Sequence, residues 1–296
     1  MKVSIAISLL LICVIRHEGV ASSLSAPFVR VTALLPELMV DFEVNPDNGD
    51  LATVSPVTNL AYLFRRQDIL SGGDNHDKPS QAHRQVEVCK TPIAISYKRF
   101  NEQGYYSVVC TEETTMYILE AAYFRVIEKA SIGGLGSSNV MSSKNKDDPF
   151  FYYNYGSGHD SVLAAFDLRE LIDRGNALLG YRSSSMDGAV SADGNILYSR
   201  GPWSPSGFAS FERSTADLWN VTKPEFNLLQ YDHRSTGAYV PDTSGNMVAS
   251  GSTIYSKTLK QEIVELDFTV SCWANSDEML LGFDYLQKYK LLGRRR

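Results

Sequence analysis

The chain has 296 residues and a formal charge of −6, with 44% hydrophobic and 21% charged residues. That apolar share suits a packed core and excludes a disordered chain. The mild acidity, without a basic stripe, excludes a nucleic-acid-binding surface. Beyond the first 22 residues no apolar run is long enough to cross a bilayer as a helix.

Residues 1–22 read as a signal peptide. Lys2 supplies the positive start, residues 3–15 are apolar apart from Ser4 and Ser8, and Gly19, Ala21, Ser22 and Ser23 are small residues of the kind a signal peptidase prefers. The apolar run falls short of the roughly 20 residues a spanning helix needs. An uncleaved anchor is the competing reading, because Arg16, His17 and Glu18 put charge beside the cleavage region. The expectation is a secreted or extracellular protein, periplasmic if the host is bacterial, with residues 23–296 forming one domain. Three cysteines remain after residue 22: Cys89, Cys110 and Cys272. One bridge, Cys89 to Cys110, is compatible with an oxidising compartment, and buried free thiols are the alternative. No C-x-x-C pair points to zinc or redox chemistry.

The informative signal is repetition. Residues 44–53, 190–199 and 240–249 superimpose as an apolar strand end, a turn rich in Asp, Asn and Gly, and a second apolar strand. Gly and Asn accept the positive φ that such turns need, and Asp side chains bond the turn backbone. Looser hairpins start at Ile93, Asn139 and Cys272. Third strands are expected at residues 60–64, 116–119, 162–166, 208–211 and 254–255. Fourth strands are expected at 85–88, 124–127, 177–181, 226–231 and 262–268. The unit recurs roughly every 35–55 residues, as four-stranded propeller blades do. One small sheet cannot bury both its faces alone, whereas a ring of sheets can. The predicted fold is therefore all-β, a single β-propeller of six or seven four-stranded antiparallel blades. A β-sandwich or a solenoid of hairpins is the alternative. The last blade lacks an outer strand, which residues 28–34 could supply. Leu168, Leu171 and Ile172 at helix-like spacing predict a short helix within residues 164–179.

The turn Asn45-Pro46-Asp47-Asn48-Gly49, followed by Leu51-Ala52-Thr53-Val54 and by Asn59-Leu60-Ala61-Tyr62-Leu63-Phe64, resembles the YVTN, NHL and WD40-like propeller superfamily. The resemblance spans most of residues 23–296 and implies the fold. The Gly-His and Trp-Asp marks of true WD40 repeats are absent, and no catalytic residue carries over.

Several groupings could carry chemistry. Asp74, His76, Asp77 and His83 are metal-ligating types in one polar loop, for which a solvated insertion is the alternative. Residues 155–161 bring Ser157, His159 and Asp160 together without a nucleophile elbow, and read as a turn. Gly133, Gly134 and Gly136 read as an inter-blade connection, since no phosphate-binding motif is completed. Phe150, Phe151, Tyr152, Tyr153 and Tyr155 are expected to fill the core between blades. Trp203, between Pro202 and Pro205, is the candidate ligand contact. Asn220-Val221-Thr222 fits a glycosylation acceptor, relevant only in a eukaryote. Arg294, Arg295 and Arg296 read as a solvated end.

The functional expectation is a binding module that uses loops at one end of the ring, for a protein or carbohydrate partner, as a monomer. The alternative is a lactonase-type hydrolase holding calcium in the central channel, with Asp41, Glu43, Asp160 and Asp187 as the carboxylates available.

Overall fold

The structure is a computed structural model that describes residues 37–71, 81–133, 139–156, 162–178, 188–200, 207–214, 223–232, 239–242, 244–267, 269–273, 279–284 and 288–293. Blade one consists of β1 (Asp41–Val44), β2 (Leu51–Ser55), β3 (Leu60–Phe64) and β4 (Arg84–Glu87), with α1 (Arg66–Ser71) between the last two. Blade two is β5 (Pro92–Phe100), β6 (Gln103–Cys110), β7 (Thr115–Glu120) and β8 (Arg125–Ser131). Blade three is β9 (Asn139–Ser142), β10 (Phe150–Tyr155), β11 (Val162–Asp167) and β12 (Ile172–Asn176). Blade four is β13 (Gly188–Val190), β14 (Ile196–Arg200), β15 (Phe208–Arg213) and β16 (Phe226–Asp232). Blade five is β17 (Tyr239–Pro241), β18 (Met247–Ser250), β19 (Thr253–Ser256) and β20 (Glu262–Glu265). Blade six is β21 (Thr269–Trp273), β22 (Met279–Asp284) and β23 (Lys288–Gly293).

Each sheet is a meander of sequential antiparallel neighbours, so the chain finishes one blade before starting the next. This is the predicted β-propeller, with five four-stranded sheets and one of three strands among the described residues. Residues 28–34, expected to complete blade six, lie outside them. The first strands of successive blades stand side by side. The Ile95 N–H donates to Asp41 Oδ2 at 2.7 Å, Ser96 Oγ to Ser142 Oγ at 3.3 Å, and Asn139 Nδ2 to the Gly188 carbonyl at 3.1 Å. Outer strands are the wet ones: β20 is exposed at all four positions. No helix among the described residues is long and apolar enough to cross a membrane.

Most of the described core sits between blades, with one further cluster of Met39, Leu51, Tyr62, Phe64 and Ile69 within blade one. Successive strand residues point to opposite faces, and in β10 Phe151 and Tyr153 face blade two while Phe150 and Tyr152 face blade four. The same alternation sends Tyr117 and Leu119 of β7 toward blade one, and Met116 and Ile118 toward blade three. The expectation that the 150–155 aromatics fill the core therefore holds. Tyr152 meets Phe226 edge-on at a centroid distance of 5.8 Å and 84°. Each such ring contributes about 1.5–3 kcal/mol by leaving water.

Two expectations fail in blade three. No helix occupies residues 164–178, the described part of the span expected to hold one. Leu168 is buried in the blade two/three core, Leu171 takes φ 56° in a turn, and Ile172 opens β12. The fourth strand is Ile172–Asn176, not 177–181. Ala177 and Leu178 instead pack into the blade three/four core, where Leu178 bridges Phe226. The apolar spacing is not one of burial: Leu168 is buried, Leu171 partly buried, and Ile172 exposed at the start of an outer strand. The helix that does form, α1, was not anticipated. Cys89 and Cys110 are joined in a disulfide, with Cα atoms 6.1 Å apart, which ties the blade one/two connection to β6.

One polar network crosses three blades inside this apolar body. Lys98 of β5, 1% exposed, donates through Nζ to the Ser143 and Asn145 carbonyls at 2.9 and 2.7 Å and to Ser143 Oγ at 2.8 Å. Asp148 accepts from Ser143 Oγ at 2.6 Å, and lies 3.9 Å from Lys98 Nζ and 3.6 Å from Arg213 Nη1. Arg213 also donates to the Tyr152 hydroxyl at 2.9 Å and lies over the rings of Phe150 and Phe226. Burial pushes Lys98 down to about 8, partly countered by the Asp148 charge. One buried carboxylate thus serves two buried cations. Removing it should cost far more than any surface pair. Asp148→Asn is expected to lower the unfolding free energy by about 3–5 kcal/mol in a denaturant titration, whereas Glu120→Gln, which removes the exposed pair with Arg125, should stay within about 0.5 kcal/mol of the parent.

Candidate functional site

The described turns joining first to second strands emerge on one end of the ring, together with the described connections from third to fourth strands. Their sequences explain their shapes. Asn45 Oδ1 accepts the Asp47 N–H and Asn48 Oδ1 the Asp50 N–H, both at 2.9 Å, and Gly49 closes the turn at φ 77°. The equivalent turn of blade four has Asp193 accepting from the Ser191 hydroxyl at 2.6 Å and the Asn195 N–H at 3.2 Å, with Gly194 at φ 77°. In blade five Asp242 takes the Ser244 hydroxyl and the Met247 N–H.

These turns reach onto the next blade and stitch this end of the ring. Asp47 of blade one accepts from Tyr97 Oη at 2.6 Å and from Arg99 Nη1 at 3.0 Å, both of blade two. Arg99 also pairs with Glu102 at 2.6 Å, and Glu102 stands 4.0 Å from Lys146 of blade three. Asn145 donates to the Asp193 carbonyl, and Asp193 in turn binds Lys257 of blade five. Glu102 sits at φ 62°, a conformation that glycine takes readily and glutamate does not.

At the junction of blades one and two this surface opens into a cleft of about 280 Å³. Its walls include Asp47, Asp50, Arg65, His83, Arg84 and Tyr97, and its floor lies near Gly104 and Ala121. A shallower hollow beside it is bounded by Asn48, Asp50, Arg65, Arg66 and Gln67. The two carboxylates are already engaged: Asp47 as above, and Asp50 by the Arg66 N–H at 3.0 Å and Asn48 Nδ2 at 2.9 Å. Arg84 Nη1 donates to the Tyr123 carbonyl. Burial, then the neighbouring Asp47 carboxylate, raises the Tyr97 phenol above its ordinary range, so it remains a hydrogen-bond donor at any physiological pH.

Of the four residues that the sequence suggests as metal ligands, His83 lines this cleft, while Asp74, His76 and Asp77 lie outside the described residues, as do Trp203 and Asn220. Ser157, His159, Asp160 and Asp187 also lie outside them, as do Gly134 and Gly136; Gly133 is described and donates its N–H to Asp173. The cleft residues Asp47, Asp50, Arg65, Arg84 and Tyr97 were missed as site residues. The adjacent pair Arg65-Arg66, directly after an apolar strand, was the available signal.

Asp41 and Glu43, two of the possible channel carboxylates, stand on the innermost strand β1, both half-buried. Burial raises Asp41 to about 6, against the pull of the Ile95 N–H, and raises Glu43 to about 8, with the Asp41 charge adding and Lys144 opposing. Among the described residues no group of three or more His, Cys, Asp or Glu could hold a metal ion.

Comparison with solved structures places this geometry on a known scaffold. The chain is similar to Kuenenia stuttgartiensis hydrazine synthase, with a TM-score of 0.61 and 12% identity over 90% of this chain and 84% of that one. It is similar to the Dos1 propeller, with a TM-score of 0.55 and 10% identity over 86% of this chain and 66% of that one. Kluyveromyces lactis Hsv2 matches with a TM-score of 0.55 and 11% identity over 87% and 75% of the two chains. At such identities the likeness is one of fold. No family profile and no curated protein matches the chain.

Two outcomes test the geometry. A Cβ added at Gly104 would lie 2.6 Å from Tyr97 Oη and 3.0 Å from Ala121 Cβ. Gly104→Ala is therefore expected to displace Tyr97 from Asp47 and cost about 1–3 kcal/mol in chemical denaturation, as overpacking does. For the axial acids, the folded state holds protons that the unfolded chain has already lost. Their stabilising effect is full below the ordinary carboxylate range and is lost as pH rises through about 6 and then about 8. Glu43→Gln should match the parent in thermal stability near pH 4 and exceed it near pH 8.5, by on the order of 2 kcal/mol allowing for the water that reaches the group.

Proposed function

We propose that this chain is an exported binding module that takes a small polar ligand in the cleft between blades one and two. The observation that carries the reading is the cleft itself: an opening beside the Asp47–Tyr97 contact at the blade one/two junction, lined by Asp, Arg, His and Tyr side chains from turns, connections and strands of the two blades. Asp47 on a short turn and Tyr97 on a strand are bonded to each other and so held in place before any ligand arrives, which favours recognition. A volume of about 280 Å³ is at the small end for ligand pockets and suits a molecule of about one sugar ring. Export is supported by the signal-like residues 1–22 and by the Cys89–Cys110 bridge, which belongs to an oxidising compartment.

The hydrolase alternative draws on Asp41 and Glu43, because carboxylates with raised proton affinity gather at catalytic sites. One thermal-shift screen separates the readings. It uses the purified full chain against neutral sugars, sugar acids, sugar phosphates, amino acids and dipeptides, with calcium content measured in parallel. Compounds that stabilise the parent are expected to lose their effect in the Arg65→Ala/His83→Ala double variant and to keep it in Trp203→Ala. Hits that depend on Trp203 and ignore the double variant would move the site away from the cleft. Bound calcium together with turnover of a sugar lactone would favour the hydrolase.

A further inference from the structure

The charge balance of the cleft says more about the ligand than its shape does. The residues lining the two adjoining hollows include three arginines, Arg65, Arg66 and Arg84, against two carboxylates, Asp47 and Asp50. The carboxylates are already engaged by groups of the protein, one donor on each oxygen: Tyr97 and Arg99 on Asp47, Asn48 and the Arg66 N–H on Asp50. The cations are not. Among the described residues the side chains of Arg65 and His83 have no hydrogen-bond or ion-pair partner, Arg66 contributes only its backbone N–H, and Arg84 uses one nitrogen on a backbone carbonyl. Arg66 also lies flat over the Gly49 turn: a Cβ at Gly49 would fall 2.8 Å from its Cδ, so the glycine leaves room for that side chain as well as the turn conformation. The donors left over are therefore guanidinium and imidazole N–H groups at one mouth, in a chain whose formal charge is −6.

We infer, building on the binding reading above, that the cleft recognises a tetrahedral oxyanion, the phosphate or sulfate group of a small monoester. Guanidinium forks match such oxygens bidentately and remain charged at any physiological pH. Among the described residues the unused N–H groups of three guanidiniums outnumber the lone pairs left on the two engaged acids, which favours an anion over a cation or an amine. The cleft's size admits the anion plus about one sugar ring. Tyr97, held as a donor toward Asp47, and Gly104, without a side chain, keep the floor open beneath it.

Isothermal titration of the full chain with glucose 6-phosphate, glucose 6-sulfate, inorganic phosphate and glucose tests this. The ester phosphate or the ester sulfate should bind, with affinity falling as salt is raised, and the stronger of the two identifies the source chemistry. Arg65→Gln should weaken that binding at least about tenfold, the loss expected for a charged hydrogen bond. His83→Gln should weaken it to a smaller extent, and Arg125→Gln, outside the cleft, should leave it unchanged. Arg65 is exposed, so its variant should fold with an unchanged melting temperature, and that measurement is made first. Absence of binding by every oxyanion at millimolar concentration, or binding that survives Arg65→Gln, overturns the inference. Glucose binding as tightly as its esters would keep the cleft as a binding site and remove the oxyanion from it. Hits in the wider screen that ignore the cleft variants would remove both.

Discussion

The structure depends on the burial of small sheets face to face against their neighbours, as the clusters between blades one to five show. A four-stranded blade has two apolar faces and too few residues to cover either. Phe151 and Tyr153 find cover on blade two only because Phe150 and Tyr152 are covered on the other side by blade four. The period of two along each strand makes this a constraint on register, since a slip of one residue would send each ring to the wrong junction. Polar contacts follow that constraint more than they create it. The Lys98–Asp148–Arg213 network spans blades two to four where aromatic packing has already excluded water, and there the loss of one partner destabilises most.

The same geometry makes one end of the ring distinctive. With the sheets fixed, the turns between first and second strands of blades one to four land beside the next blade, and Asp47, Glu102, Asn145 and Asp193 all use that proximity. The connection from β3 to β4 departs from the pattern. It carries α1, and it delivers Arg65, Arg66 and His83 to the first junction, where the corresponding connections of blades two and three are tight turns. The cleft therefore arises from an insertion set against a closely repeating frame. Strand β5 holds Tyr97 in one wall, the connection that carries α1 supplies Arg65 and His83 to the other, and the acids nearby answer to their own turns and to blade two.

Much of the frame was readable along the chain. The Asp-Gly-Asn turn at 193–195 and the Asp-Asn-Gly turn at 47–49 marked hairpins, since their positive φ values need those residue types. Aromatic runs bounded by turns marked buried strands. In blade three Leu168, Leu171 and Ile172 keep helical spacing without forming a helix, because three apolar residues across a tight turn do not distinguish a helix from a strand connection in which only Leu168 is buried. The cleft was less legible. Asp47 and Asp50 looked like turn residues, as they are, and nothing local distinguishes a turn aspartate that also anchors the neighbouring blade.

What the sequence determined by itself was the repeat: alternation sets which residues must be hidden, turn chemistry sets where the chain reverses, and together these demand a ring of small sheets. Which polar side chains would meet was decided only by the tertiary structure. Asp47 and Arg99 are 52 positions apart, and Asp193 and Lys257 are 64 apart; their pairing depends on how neighbouring blades stack. Local propensity acts over a few residues, whereas a site at a blade junction exists only after separate sheets have packed.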